Sequence, residues 1–71
     1  MHKPYLKKIG KNIKNARKDK NLSQEKLAEM IGKTRNYIGM VERAETRPSV
    51  CALIDIAKAL EVEPKVFWDF N

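Results

Sequence analysis

The stretch that decides the fold is SQEKLAEMIGKTRNYIGMVERAETR, residues 23–47 of a 71-residue chain. It contains two short amphipathic segments that meet at Gly32. Each segment begins with a hydroxyl residue, Ser23 or Thr34, whose oxygen can accept a hydrogen bond from an unpaired N–H at a helix start. Glycine readily takes the left-handed conformation that a tight corner needs. Two helices joined by a three- or four-residue turn with a glycine predict a helix-turn-helix.

The second of these segments carries Arg35 and Asn36 in its first turn. A recognition helix presents side chains at this position to base edges in the major groove of DNA. Arginine suits O6 and N7 of guanine, and asparagine suits N6 and N7 of adenine, because each offers a matching pair of hydrogen bonds. The pattern therefore predicts a DNA-binding surface, with contact between Arg35 and phosphate as the alternative to base reading.

Five segments in a fixed order carry a wider resemblance: SQEKLA at 23–28, YI at 37–38, VER at 41–43, PS at 48–49 and LIDIAKAL at 53–60. Through these segments the chain resembles the phage-repressor/Cro-type (XRE) helix-turn-helix family, and the resemblance extends from about residue 9 to residue 67. The resemblance implies a five-helix domain that usually binds operator DNA as a dimer and regulates transcription. Lys26 and Ala44 depart from the family, which often has Glu and Gly there. The RNYI stretch at 35–38 is also similar to controller proteins of restriction-modification systems, and stand-alone phage or mobile-element regulators fit nearly as well.

Apolar spacing predicts an all-α fold in one domain over residues 1–71, since residues at three- and four-residue intervals form one face of a helix. In the last two helices we expect Val50 and Phe67 to face the core. The expected helices cover residues 4–20, 24–31, 35–43, 50–60 and 64–70.

The candidate DNA contacts fall into two groups. Gly39 lies one turn beyond Arg35, and a glycine inside a helix costs about 1 kcal/mol relative to alanine. Close approach of the helix backbone to the groove would compensate, and drift at an exposed site is the alternative. Met40 either contacts a thymine methyl or is a plain surface residue, and Tyr37 either reaches phosphate or packs on the first helix. The base-reading candidates are Arg35, Asn36, Gly39 and Met40, and the phosphate candidates are Gln24, Lys33, Thr34, Tyr37, Arg43 and Arg47.

Two of the residues are expected to act structurally. The resemblance implies an ion pair between Arg17, late in the first helix, and Glu42, late in the third. Such a pair inside a small core fixes geometry more than it adds stability. We therefore expect it to set the tilt of the recognition helix.

Charge is distributed unevenly along the chain, whose net charge is +6. Residues 1–35 hold eleven Lys/Arg and three Asp/Glu, whereas residues 36–71 hold four and six. A basic half favours a polyanionic partner, because neutralising phosphates supplies most non-specific DNA affinity. For the far lysines of the first helix, solubility alone is the alternative.

Composition gives no sign of catalysis, a cofactor or a metal. His2 and the single cysteine, Cys51, stand alone in the sequence, so no nucleophile–base pair or ligand cluster is expected. A redox role for Cys51 at a helix start is the alternative to a small apolar residue. No apolar run reaches the roughly 20 residues that span a bilayer, and the N-terminus has no signal-peptide core. We therefore expect a cytoplasmic protein that does not enter the membrane.

The C-terminal sequence VFWDF, residues 66–70, is too apolar for one short helix to bury. An exposed patch of Val66, Trp68 and Phe70 predicts a partner, and a homodimer would pair two recognition helices. The alternatives are that Trp68 folds back on the domain, or that the patch binds a toxin in an antitoxin-like interaction module. A dimeric regulator would act by its own concentration, by blocking RNA polymerase or by contacting it.

Overall fold

The structure, a computed structural model that describes residues 3–69, consists of helices joined by short turns. Between residues 3 and 69 there is no strand, so the all-α prediction is confirmed. The bounds of the first four helices differ from the predicted ones by one residue at most. The elements are α1 (Lys3–Asp19), α2 (Gln24–Met30), α3 (Arg35–Glu42), α4 (Val50–Leu60) and a 3-10 helix (Pro64–Phe67).

Helices α2 and α3 begin where the hydroxyl caps were predicted. The Ser23 Oγ accepts a hydrogen bond from the N–H of Lys26 at 3.0 Å. The Thr34 Oγ1 accepts one from the N–H of Tyr37 at 3.1 Å. Each cap gives a partner to an N–H that has none inside its helix. Such a cap typically stabilises the protein by about 1 kcal/mol. Local sequence therefore fixes the residue at which the candidate recognition helix starts.

The α-helices within residues 3–69 all end in the same way. The chain turns through a residue of positive φ, and the next N–H bonds to the carbonyl five residues back, as the N–H of Glu45 does to Met40 at 2.8 Å. One of the turning residues is the predicted Gly32, at φ +70°. The left-handed conformation disfavours residues with a Cβ by roughly 1–2 kcal/mol, so the other three helices end in a more strained residue. These residues are Asn21, Ala44 and Glu61, with φ of 58°, 61° and 60°.

The core lies where the four α-helices and the 3-10 helix meet. Phe67 is fully buried there, as predicted, and a buried side chain of this size contributes about 1.5–3 kcal/mol. The Asn12 Nδ2 donates to the carbonyl oxygen of Phe67 at 3.1 Å, which holds the 3-10 helix against α1. The other fully buried large side chains are Ile13, Leu27, Ile38, Ile56, Leu60 and Val41.

Gly10 lets α1 lie against the C-terminal end of α3. A Cβ at this position would lie 2.6 Å from the carbonyl oxygen of Val41 and 2.7 Å from that of Glu42. These are backbone atoms, so an added methyl would force the helices apart. The absence of a side chain at Gly10 thus helps to place α3 against α1.

Two details of the predicted fold are wrong. The last element is a 3-10 helix that ends at Phe67, not an α-helix over 64–70. Its hydrogen bonds reach back three residues, at 3.0 and 3.1 Å, because four residues that begin with Pro64 are too few for a cooperative α-helix. Val50 does not face the core: it is 67% exposed, because the first turn of α4 buries Ala52 and Leu53 instead.

Candidate nucleic-acid interface

The first turn of α3 presents an exposed polar surface. Arg35 and Asn36 are both exposed immediately after the Thr34 cap. The Asn36 Nδ2 donates a weak hydrogen bond to the Met40 Sδ at 3.4 Å, which ties two of the base-reading candidates together. Arg35 keeps its donors available at the tip of the helix, where a base edge or a phosphate would meet them. The structure therefore brings these candidates onto one surface.

The sequence interpretation placed Gly39 at an exposed site, but in the structure Gly39 is buried. An ideal Cβ at this position would lie 2.8 Å from the Nη1 of Arg43, so the guanidinium of Arg43 covers the glycine. The assumption was wrong because the long side chain one turn later folds back over the helix. Contact between Gly39 and a base therefore requires Arg43 to move, and the base-reading role remains a prediction.

Arg43 is held in this position by Glu45. The Nε of Arg43 donates to the Glu45 Oε2 at 3.0 Å, and its Nη2 donates to Oε1 at 3.1 Å. The hydrogen bonds and the negative charge of Glu45 raise the pKa of Arg43. Sequence reasoning missed Glu45, although an acid two residues after a candidate phosphate ligand was the available signal.

A buried polar network lies behind this surface. The Arg17 Nε donates to the Glu42 Oε2 at 2.7 Å, and Nη2 donates to Oε1 at 3.1 Å. The third donor, Nη1, bonds to the carbonyl oxygen of Leu22 at 2.7 Å. The Arg17 and Glu42 side chains are 9% and 3% exposed, so the ion pair implied by the resemblance is present and buried. It joins α1 to the end of α3.

Gln24 connects this network to the surface. Its Nε2 donates to the Glu42 Oε1 at 3.0 Å, from the first residue of α2. An amide has donor and acceptor capacity to spare, so the same side chain can also donate to a phosphate. The half-buried Gln24 therefore lies between α3 and the place where a phosphate would bind at this end of α2.

Lys33, Thr34 and Tyr37 surround the start of α3. The Lys33 Nζ lies 5.3 Å from the centre of the Tyr37 ring, within the range of a cation–π contact. Tyr37 packs partly against the core, and this burial raises the pKa of its hydroxyl. Its ring is thus partly structural, and its phosphate contact remains a prediction. The last phosphate candidate, Arg47, is exposed in the loop between α3 and α4.

The C-terminal patch lies outside this surface. Val66 and Trp68 are 44% and 42% exposed, on either side of the buried Phe67. Phe70, the third residue of the predicted patch, falls outside the described residues, as does His2. Trp68 is thus partly open to solvent rather than packed in the core.

Other kinds of site find no support in the part of the chain that the structure describes. Cys51 is a free, exposed cysteine. Residues 3–69 contain no cluster of side chains able to hold a metal ion. Over the same range, every helix is too short or too polar to cross a membrane.

Known proteins share this architecture. The helix-turn-helix family model matches residues 13–67. The chain is 46% identical over 59 residues to the control protein C.SmaI of Serratia marcescens, across 82% of this chain and 70% of that one. Other relatives are longer: the chain spans 28% and 43% of two HTH-type transcriptional regulators of Sinorhizobium fredii.

Solved structures agree with the family match. The restriction-modification controller protein C.AhdI of Aeromonas hydrophila superposes with a TM-score of 0.89 and 38% identity, over 93% of this chain and 96% of that one. The P22 c2 repressor, solved in complex with a synthetic operator, gives a TM-score of 0.81 and 30% identity over 89% and 96%. The chain belongs to the helix-turn-helix family of DNA-binding transcriptional regulators. The resemblance to the phage-repressor type is therefore confirmed, and these relatives are regulators rather than enzymes.

Proposed function

We propose that this regulator binds a pseudo-palindromic operator as a homodimer and is a controller of the restriction-modification type. The observation that carries the proposal is the exposed polar start of α3, with Arg35 and Asn36 free of the core. The controller assignment is supported by the likeness to C.SmaI and C.AhdI, and operator binding by the likeness to the P22 c2 repressor.

In the proposed complex, α3 enters the major groove and its first turn reads base edges. Gln24, Lys33, Thr34, Tyr37, Arg43 and Arg47 bind the flanking phosphates. The dipole and free N–H groups of a helix start favour an anion, which adds to the contact at α2. The Arg17–Glu42 pair holds α3 at a fixed angle to α1, so both sets of contacts form together.

The partly exposed Val66 and Trp68 support the dimer. A patch of this kind, buried across a two-fold axis, would place two recognition helices about 34 Å apart, one turn of DNA. The bound dimer would then act through its concentration, by blocking RNA polymerase where the operator overlaps a promoter or by contacting it from an upstream site. In the alternative function, an antitoxin-like module, the same patch would bind a toxin.

Two measurements on the purified chain test the proposal. Sedimentation equilibrium should give a dimer at micromolar concentration, whereas a monomer would favour the toxin-binding alternative. Fluorescence anisotropy with a random pool of 30-base-pair duplexes should show affinity falling on the order of 10³- to 10⁵-fold between 50 and 200 mM salt, for about 6 to 10 charged phosphate contacts. A flat salt response would contradict binding through phosphates.

A further inference from the structure

Arg43, which directly follows the last residue of α3, continues the face of that helix that carries Arg35 and Gly39. The three positions are four residues apart, and side chains at this spacing lie one above another on a helix. The guanidinium of Arg43 approaches to 2.8 Å of where a Cβ of Gly39 would be. It therefore occupies the middle of the face that the proposed function turns toward DNA.

Glu45 binds Arg43 through N–H groups that can also bind a phosphate. The two hydrogen bonds, at 3.0 and 3.1 Å, form the parallel fork that a guanidinium makes with a carboxylate or a phosphate. A guanidinium fork cannot serve both partners at once. A phosphate that binds this Nε–Nη2 edge of Arg43 must therefore displace Glu45.

The exchange is possible without unfolding. The Arg43 and Glu45 side chains are 55% and 53% exposed, and exposed ion pairs of this kind are weak. The carboxylate also adds a negative charge beside the surface that would meet the DNA backbone. Glu45 thus opposes binding both by occupying Arg43 and by repelling phosphate.

We propose that Glu45 is an intramolecular competitor of DNA for Arg43: it holds the arginine across Gly39 in the free protein and yields it to a backbone phosphate on binding. This inference rests on the proposed function, because it requires the α3 face to meet DNA. Since every duplex offers phosphates, Glu45 lowers the affinity for all sequences by the same factor. Glu45 thereby raises the protein concentration that is needed to occupy the operator.

The test is a double-mutant cycle on the full chain. Wild type, Glu45→Gln, Arg43→Gln and the double variant are titrated by anisotropy, at 100 mM salt, against a random duplex pool and against a duplex selected for tight binding. Circular dichroism checks that each variant is folded. Asp55→Asn, which removes the same charge from an exposed position on α4, serves as the control for net charge.

Glu45→Gln should bind both DNAs more tightly, by about 1.5- to 5-fold per half-site beyond the gain from Asp55→Asn, which is the range expected for an exposed ion pair. In the Arg43→Gln background, the gain from Glu45→Gln should shrink by this factor. Wild type that binds DNA but gains nothing from Glu45→Gln, or gains equally with and without Arg43, would overturn the inference. A gain confined to the selected duplex would also overturn it, by assigning Arg43 to a base. Failure of wild type to bind any duplex would instead refute the proposed function.

Discussion

Removal of the Glu42 carboxylate should be among the most damaging single changes to this chain. Its side chain is 3% exposed and accepts hydrogen bonds from the Arg17 Nε, the Arg17 Nη2 and the Gln24 Nε2, at 2.7, 3.1 and 3.0 Å. Glu42→Ala would leave the buried Arg17 with only the carbonyl oxygen of Leu22 as a partner. Breaking one side of a buried pair costs about 3–5 kcal/mol. The free energy of unfolding of a chain of this length is roughly 4–10 kcal/mol, so the variant should be marginally stable or unfolded.

Urea unfolding followed by far-UV circular dichroism measures this loss. The matched control is the double variant Arg17→Met/Glu42→Met, which replaces the pair by apolar side chains and should recover most of the stability, because no buried charge is left unpaired. If the pair sets the tilt of α3, the folded double variant should still bind its operator more weakly than wild type. A loss below about 1 kcal/mol for Glu42→Ala would refute the reasoning that Arg17 depends on this partner.

Three further outcomes follow from the structure. Gly10→Ala should destabilise the fold by about 1–3 kcal/mol in the same urea assay, because its methyl would meet two backbone oxygens of α3 at 2.6 and 2.7 Å. Gly39→Ala should instead stabilise it by about 0.5–1 kcal/mol, since only the movable end of Arg43 lies in the way and alanine favours a helix; a loss would show that Arg43 cannot move. Trp68→Glu should give a folded monomer in sedimentation equilibrium while Arg35→Ala stays dimeric, and a Trp68→Glu dimer would place the interface elsewhere.

Helix starts could be predicted from the sequence because their cause is local. Ser23 and Thr34 each accept a hydrogen bond from the N–H three residues later, and the helices begin immediately afterwards. Arg17 and Glu42, which form the buried ion pair, are 25 residues apart in the sequence. Only the family resemblance pointed to their pairing. Capping thus follows from residue type and spacing, whereas long-range pairing needed a known pattern.

Features that depend on packing or on side-chain conformation could not be predicted in this way. The helical pattern of α4 marked Val50 as buried, but the first turn of that helix packs Ala52 and Leu53 against the core and leaves Val50 exposed. Gly39 looked exposed because the sequence does not show that Arg43 folds back over it. The proposed role of Glu45 as a competitor for Arg43 depends on the same conformation of the Arg43 side chain. The candidate site was therefore predicted as a set of residues but not as an arrangement.

The most direct test of DNA reading by α3 is selection of bound fragments from a random duplex library, with wild type and Arg35→Ala compared side by side. Wild type should yield an inverted repeat whose half-sites lie one turn of DNA apart. Arg35→Ala should lose one position of preference in each half-site, at a cost of about 1–3 kcal/mol on the wild-type sequence. A wild-type selection without two-fold symmetry, or an Arg35→Ala selection identical to that of wild type, would contradict the claim that a dimer reads its operator through this residue.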